Sequence, residues 1–233
     1  MADHTLYLVP NFIGEFSKDY LPKRTIEHIY SIRHFIVERE RTARAFLKAI
    51  DHPISQNEFQ FVELNKHDDY TGFKSFFDAH IYDFPIGVLS EAGLPAIADP
   101  GNEIVKYAHQ KNINVIPLSG SSSIFLALMA SGFNGQNFQF NGYLRIDARE
   151  RMIALKEMEN RSRKVTQIFM EAPYRNNQFL DFLIKNLQHT TKLCVAVDIE
   201  KKGKEIIRSK PIKNWKPNEI ELHKKPCIYL ISG

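Results

Sequence analysis

Residues 85–120 read PIGVLSEAGLPAIADPGNEIVKYAHQKNINVIPLSG, and this stretch decides the fold. Its first five residues are a short apolar run with β-branched members, as a buried strand requires. Residues 102–111 then repeat apolar side chains at helical spacing, and residues 114–117 return to a strand run. A second loop of small residues, PLSGSSS at 117–123, leads into the apolar segment 124–130. Strand, loop, helix, strand, loop, helix is the order of a parallel sheet covered by helices.

Both loops leave the carboxyl end of a strand, which is where open α/β sheets bind ligands. In SEAGLPAIADPG (90–101), Asp99 and Pro100 make an N-cap and N1 pair. The carboxylate accepts orphan amides of the helix, and proline has no amide to satisfy there. In the second loop, small residues at a helix start leave amides and hydroxyls open, and Gly120 permits close approach or an unusual dihedral. Each loop is equally well explained as a capped connection, the second helix being closed by Gly132. Two such loops in one half-chain favour a binding site.

The same alternation extends in both directions. Strands are expected at 5–9, 33–37, 59–64, 85–89 and 114–117, then at 138–144, 165–170, 193–197, 205–209 and 227–231. Helical periodicity falls at 41–50, 70–82, 102–111, 124–131, 149–160 and 176–187. The early part reads as a complete βαβαβ set, and the later part ends in closely spaced strands. The expectation is two α/β domains, 1–117 and 118–233, joined near Leu118.

Composition agrees with a globular chain. Of 233 residues, 43% are hydrophobic and 25% charged, which excludes a disordered or collagen-like protein. Cys194 and Cys227 lie 33 positions apart, too few and too isolated for a disulfide framework, as in a reducing compartment. The start lacks the basic region and apolar stretch of a secretion signal, and the longest apolar run, 124–130, is far short of a membrane span. The chain is expected to be cytoplasmic, with no membrane partner. No GxGxxG, GxxxxGK[ST] or GxSxG pattern occurs. The nine histidines form no HxxxH or HExxH pair, so no metal site is expected.

The net charge of +4 conceals a division. Residues 1–117 hold 12 basic against 16 acidic side chains, and residues 118–233 hold 19 against 11. Seven basic residues lie between positions 201 and 216, opposed within that segment by Glu205 alone. Lysines of an edge strand that discourage pairing would explain this, as would a surface for a polyanion, with Lys201, Lys202 and Lys204 foremost.

Six collinear segments resemble the tetrapyrrole methylase superfamily, the class III S-adenosylmethionine-dependent methyltransferases. Within it the likeness is nearest to the ribosomal RNA small subunit methyltransferase I branch. LYLVPNFIG at 6–14 resembles that branch's LYLVxTPIGN opening. VERERTAR at 37–44 resembles AEDTRxTR, retaining Glu38, Arg41 and Arg44. Residues 90–101 resemble SDAGTPxISDPG, and 117–123 resemble PxPGPSA. NGYL at 141–144 is similar to a GFL strand end, and MEAPYR at 170–175 to YESPHR. The departures are Arg39 and Glu40 for an aspartate and threonine, Leu94 for a threonine, Ser119 and Ser121 for prolines, and Arg145-Ile146-Asp147 for a proline-arginine-lysine. They fall mostly at substrate-facing positions, as in a divergent paralogue.

The resemblance implies two αβα domains with a cofactor cleft between them, and S-adenosylmethionine as cofactor. Cofactor contacts are then expected at Pro10, Glu91, Ala92, Gly93, Leu94, Pro95, Ile97, Ser121 and Ser122. Met170, Glu171, Ala172 and Pro226 are expected to join them. A hydroxyl nucleophile needs a proton acceptor, for which Glu38 is the candidate, with Arg41 beside it as a catalytic contact to an anionic substrate. Glu38 could instead pair with Arg41 or Arg44 on the following helix. Arg44 and Arg175 are candidate substrate contacts, Arg41 and Arg175 could equally be surface ion pairs, and Glu171 either binds the cofactor or caps the helix near Tyr174. The family implies RNA of the small ribosomal subunit as substrate and a homodimer. A tetrapyrrole C-methyltransferase and an inactive relative that binds the cofactor or RNA are the alternatives.

Overall fold

In a computed structural model, the structure describes residues 4–64 and 71–233. They divide into two compact units, Met1–Ser122 and Ser123–Gly233. The first contains β1 (Thr5–Val9), α1 (Lys23–Ile29), β2 (His34–Val37), α2 (Glu40–Ala49), β3 (Gln60–Glu63), α3 (Phe73–His80), β4 (Ile86–Leu89), α4 (Gly101–Gln110) and β5 (Asn114–Pro117). The expected helix at 70–82 begins at Tyr70, outside the described residues, and is helical over Phe73–His80. Helix α1 was not expected; among its seven residues only Thr25 and Ile29 are buried, too few for a periodic signal.

The five strands of the first unit form one sheet in the order β3-β2-β4-β1-β5, and every pairing is parallel. Period-two alternation divides its core into two layers. Tyr7, Val9, Phe35 and Val37 face Ile29 of α1 and Phe46 and Leu47 of α2. Leu6, Ile36, Ile86 and Val88 face Phe73 and Phe77 of α3 and Ile104 and Ala108 of α4. Strands β1, β2 and β4 therefore read as largely apolar runs because both of their faces are covered.

At the start of β2, the buried His34 lies in an aromatic nest, its ring centroid 4.5 Å from that of His80 and 4.8 Å from that of Phe84. Burial, reinforced by His80 and Arg33, lowers its pKa from 6.5 to about 4, and its Nδ1 has no hydrogen-bond partner among the described residues. Burial also lowers that of His52. Because the unfolded chain takes up these protons first, stability is present above pH 6.5 and declines as pH falls toward 4. Urea denaturation at pH 7 and pH 4.5 should show that loss. His34→Phe keeps the stacked ring without the titrating nitrogens and should flatten part of the slope; an unchanged slope would show that His34 does not contribute.

The second unit contains α5 (Ser123–Ser131), β6 (Phe138–Tyr143), α6 (Ala148–Ser162), β7 (Thr166–Met170), α7 (Asn176–Asn186), β8 (Lys192–Val197), β9 (Ile206–Pro211) and β10 (Cys227–Ser232). Its sheet runs β6-β7-β10-β8-β9, with only β6 and β7 parallel. Leu155, Met158, Phe179 and Leu183 of α6 and α7 cover one face, over Phe169, Val195 and Tyr229. Helix α5 packs on the side of β8, β9 and β10. The buried Glu159 of α6 accepts hydrogen bonds from the Gln188 amide at 2.6 Å and Thr191 Oγ1 at 2.8 Å, and it pairs with Lys156. It thereby ties α6 to the segment between α7 and β8. Both cysteines are buried free thiols, which burial pushes up to about 12, so neither is a ready thiolate.

Candidate active site

The parallel sheet of the first unit brings the carboxyl ends of β1, β2, β4 and β5 to one edge, and the loops that leave them carry the expected cofactor residues. At the end of β1, Asn11 is buried and forms a backbone bridge with Gly93: its amide donates to Gly93 O at 2.8 Å, and the Gly93 amide returns to Asn11 O at 3.2 Å. Asn11 Nδ2 also donates to the carbonyls of Ser90, at 2.8 Å, and Glu91, at 3.1 Å. This ties the loop after β4 to the end of β1. Sequence reasoning passed over Asn11, although a polar side chain directly after an apolar strand run was a signal.

Gly93 has φ +73°, which glycine adopts without strain. Ala96 and Ala98 adopt φ +66° and +65°, where a Cβ is unfavourable. Ala96 is held by Asp99, whose Oδ1 accepts from the Ala96 amide at 2.9 Å and the Gly101 amide at 2.7 Å. The carboxylate thus reaches the first amide of α4, but Asp99 is not the expected N-cap and lies one residue before it. Pro100, however, stands immediately before the helix rather than in its first turn. Burial raises the Asp99 pKa above the ordinary carboxylate value; the two amides oppose that shift, and nearby Glu38 adds to it.

Beside this loop, the loop after β5 meets β1. A Cβ at Gly120 would lie 2.2 Å from Pro10 Cβ and 2.6 Å from Pro10 Cγ, so only glycine fits. Thr25 Oγ1 of α1 donates to Ser119 O at 2.9 Å and fixes the loop from its other side. Ser121 and Ser122 follow, half-buried. Pro10, Gly93 and Ser121 are therefore near neighbours, Ser121 O standing 3.9 Å from where a Gly93 Cβ would be. Ala92 and Ile97 are exposed, Leu94 is half-buried and Pro95 is buried.

Glu38, at the end of β2, does not pair with Arg41 or Arg44. Its Oε1 accepts from the Glu91 amide at 3.0 Å, which turns the side chain toward the loop after β4. No other hydrogen bond to it is found among the described residues, so Oε2 is available to a proton. The Glu91 carboxylate accepts from Thr42 Oγ1 at 3.1 Å and lies 3.9 Å from Arg39 Nε. Arg39, which departs from the family pattern, thus meets the acidic residue of the neighbouring motif. Arg41 is exposed on the first turn of α2. Arg44 is engaged within its own unit: it pairs with Glu40 at 2.7 Å, donates to Gln56 O, and lies over the Phe61 ring at 4.8 Å.

In the second unit the remaining candidates share one sheet edge. Tyr143 is in register with Met170, and Ile228 of β10 with Met170 from the other side. Glu171 is buried: its Oε1 accepts from the Ala172 amide at 2.7 Å and from Arg175 Nε at 3.0 Å, while Oε2 has no hydrogen-bond partner among the described residues. Arg175 is thus an ion-pair partner of Glu171. Pro226 O accepts from the amide of Asp198 at 3.1 Å, a buried residue at φ +50° whose carboxylate holds Lys201 at 2.6 Å. Among the described residues, no group of three or more metal-ligating side chains comes together, and no helix is long and apolar enough to cross a membrane.

No family model matches the chain. It is 33% identical over 180 residues to the ribosomal RNA small subunit methyltransferase I of Halalkalibacterium halodurans, which covers 77% of this chain and 59% of that protein. With the protein of the same name from Vibrio cholerae it shares 28% over 231 residues, 98% of this chain and 77% of the other. The Bacillus subtilis counterpart shares 29% over 225 residues, 96% and 73%. Among solved structures, the uroporphyrin-III-C-methyltransferase of Thermus thermophilus superposes with a TM-score of 0.59 at 14% identity, over 98% of this chain and 94% of that one, which shows the same fold. The chain is thus similar over most of its own length to ribosomal RNA small subunit methyltransferases I, spans about three fifths of the length of the first of them, and shares the fold of a uroporphyrin-III-C-methyltransferase, a set of likenesses consistent with the tetrapyrrole methylase superfamily.

Proposed function

We propose that the protein is an S-adenosylmethionine-dependent methyltransferase that modifies RNA of the small ribosomal subunit at a ribose 2′-hydroxyl. The observation that carries this is Glu38, held through one carboxylate oxygen at the carboxyl edge of the first unit's sheet, with the other oxygen left for a proton. Three loops beside it, after β1, β4 and β5, are rigidly joined and lined by small residues.

The donor set fits the cofactor. Backbone groups of residues 91–97 and the hydroxyls of Ser121 and Ser122 suit its polar parts, and carboxylates at the same edge suit a cation. Bound S-adenosylmethionine supplies a methyl carbon activated by a sulfonium. The protein's part is to orient a hydroxyl nucleophile and to receive its proton at Glu38 Oε2. Arg41, exposed next to Glu38 in sequence, is placed to meet a phosphate of the same substrate. In the second unit, Met170, Ala172 and Pro226 are proposed cofactor contacts. Glu171 is proposed to act there through Arg175, which it holds.

The substrate side of the proposal draws on charge. Of the basic residues between positions 201 and 216, Lys201 pairs with Asp198, and Arg208 and Lys210 pair with Glu219, whose carboxyl they hold down to about 2. The acids that answer this segment thus lie just outside it. Exposed Lys204, Lys213 and Lys216 are the better candidates for phosphate contacts. Replacing all three with glutamine should flatten the slope of log binding constant against log salt by about 2 for single-stranded RNA, at about 0.7 per contact. An unchanged slope would place the contacts elsewhere.

A ribosomal substrate places the protein in the cytoplasm. A homodimer is also proposed, since Phe125 and Met129 of α5 are exposed apolar side chains that a second copy would cover. Sedimentation measures this directly. For the activity, calorimetric titration with S-adenosylmethionine comes first. Transfer of labelled methyl to small ribosomal subunits, total RNA and porphyrin precursors comes second. Absence of cofactor binding would refute the enzyme, and transfer to a porphyrin would replace RNA as the substrate.

A further inference from the structure

Two tyrosines at the carboxyl edge of the second unit's sheet leave most of their rings in solvent. Tyr143 ends β6 and is 60% exposed; Tyr174, in the turn after β7, is 64% exposed. The register of Tyr143 with Met170, four residues before Tyr174, places both on the same rim. An aromatic ring left in water at the end of a strand contributes little to the fold, and two such rings on one rim mark an interaction surface.

The charges around them say what the partner is. Arg175 lies 5.3 Å from the Tyr174 ring centroid. Exposed Lys224 is tied to the same turn, its amide donating to Pro173 O at 3.0 Å. Exposed Arg145 follows Tyr143 by two residues. Of the acids nearby, Glu171 is buried against Arg175 and Asp147 caps α6 through the amides of Arg149 and Glu150, while Glu150 and Glu157 line the same cavity as Arg145. Open aromatic faces interleaved with cations are the arrangement that binds unpaired nucleotides, the rings stacking on bases while the cations meet the phosphates. We propose that Tyr143 and Tyr174 form a stacking platform for single-stranded RNA, with Arg145 and Lys224 as its phosphate contacts. The inference rests on RNA being the substrate and adds that the protein grips bases that are unpaired.

The test is fluorescence anisotropy of the full chain with a labelled ten-nucleotide single-stranded RNA of mixed sequence. Tyr143→Ala and Tyr174→Ala should each weaken binding about tenfold to a hundredfold, with the salt slope and the thermal midpoint unchanged. Tyr→Phe at either position should bind within twofold of the parent, because the ring is kept. Tyr→Leu should bind as poorly as alanine, because an apolar side chain without a π-face cannot stack. The same RNA annealed to its complement should be indifferent to all of these variants. Alanine variants within twofold of the parent, rescue by leucine, or equal losses on the duplex would overturn the platform. So would a tyrosine variant that dissociates a dimer, since the rim would then be an interface between copies. If the unaltered protein binds S-adenosylmethionine but no RNA at low salt, the RNA reading itself fails and the platform falls with it.

Discussion

Glu38→Gln is expected to slow methyl transfer to the small ribosomal subunit by about 10²–10⁴-fold, the usual contribution of a positioned proton acceptor. Affinity for S-adenosylmethionine should stay within a few-fold. The prediction is sharp because the substitution is nearly isosteric and the anchoring interaction survives it. The glutamine carbonyl can still accept from the Glu91 amide, as Glu38 Oε1 does at 3.0 Å. What it then presents in place of Oε2 is an NH₂ group, which donates where an acceptor is needed. Single-turnover transfer of labelled methyl measures the rate, and calorimetry measures cofactor affinity on the same sample. The pH profile is the second readout: the limb belonging to a required carboxylate should disappear in the variant. A variant as fast as the parent would show that the hydroxyl loses its proton to another group, and that Glu38 serves only to hold the loop after β4.

Gly120→Ala is expected to destabilise the first unit by about 3 kcal/mol, at the upper end of the cost of overpacking a tight contact. The reason is the identity of the neighbour. The added methyl would sit 2.2 Å from a proline ring carbon, and proline has no rotamer through which to retreat. Either β1 shifts at Pro10 or the loop from Ser119 to Ser122 moves outward. The second course breaks the bond from Thr25 Oγ1 to Ser119 O and displaces the proposed cofactor hydroxyls. Affinity for S-adenosylmethionine should then fall by more than tenfold even where the variant remains folded. Gly132→Ala is the useful contrast. Gly132 sits at φ +74° after α5 with nothing near it, so that substitution should cost only about 1 kcal/mol of backbone strain and leave cofactor affinity unchanged. Equal losses of affinity at the two glycines would remove the argument for a close approach at Gly120.

Legibility in the sequence followed the physical origin of each feature. Strands covered on both faces advertise themselves as apolar runs, so β1, β2 and β4 were readable, and the six longer helices were readable from their periodicity. Helix α1 was not, because it buries only two side chains and its start is signalled by Pro22 alone. The loops after β4 and β5 could be singled out because their work is done by small residues and turn chemistry, which sequence displays. Which side chains meet could not be read. Arg44, three residues after Arg41, folds back onto Glu40, Gln56 and Phe61 rather than toward Glu38. Asn11 binds carbonyls 79 and 80 positions away, and no local pattern encodes a partner at that distance. In the second unit, Asp198 and Glu219 take up charge from the basic segment although neither lies within it.

Ala96 and Ala98, both in left-handed backbone, the first with its amide bound by the carboxylate of Asp99, have a consequence for how a ligand would be met. An alanine in that conformation costs about 1–2 kcal/mol, which folding must offset. A loop left free to relax would lose its shape between binding events and have to recover it at each one, reducing affinity by the rarity of the competent form. Here Asp99 fixes the Ala96 turn within the fold itself, so that part of the loop's shape would be set before a ligand arrives. Loosening it with glycine at both alanines would relieve strain in the resting protein and at the same time weaken its hold on a ligand. Stability and affinity, which usually decline together in a damaged protein, would move in opposite directions at this one loop.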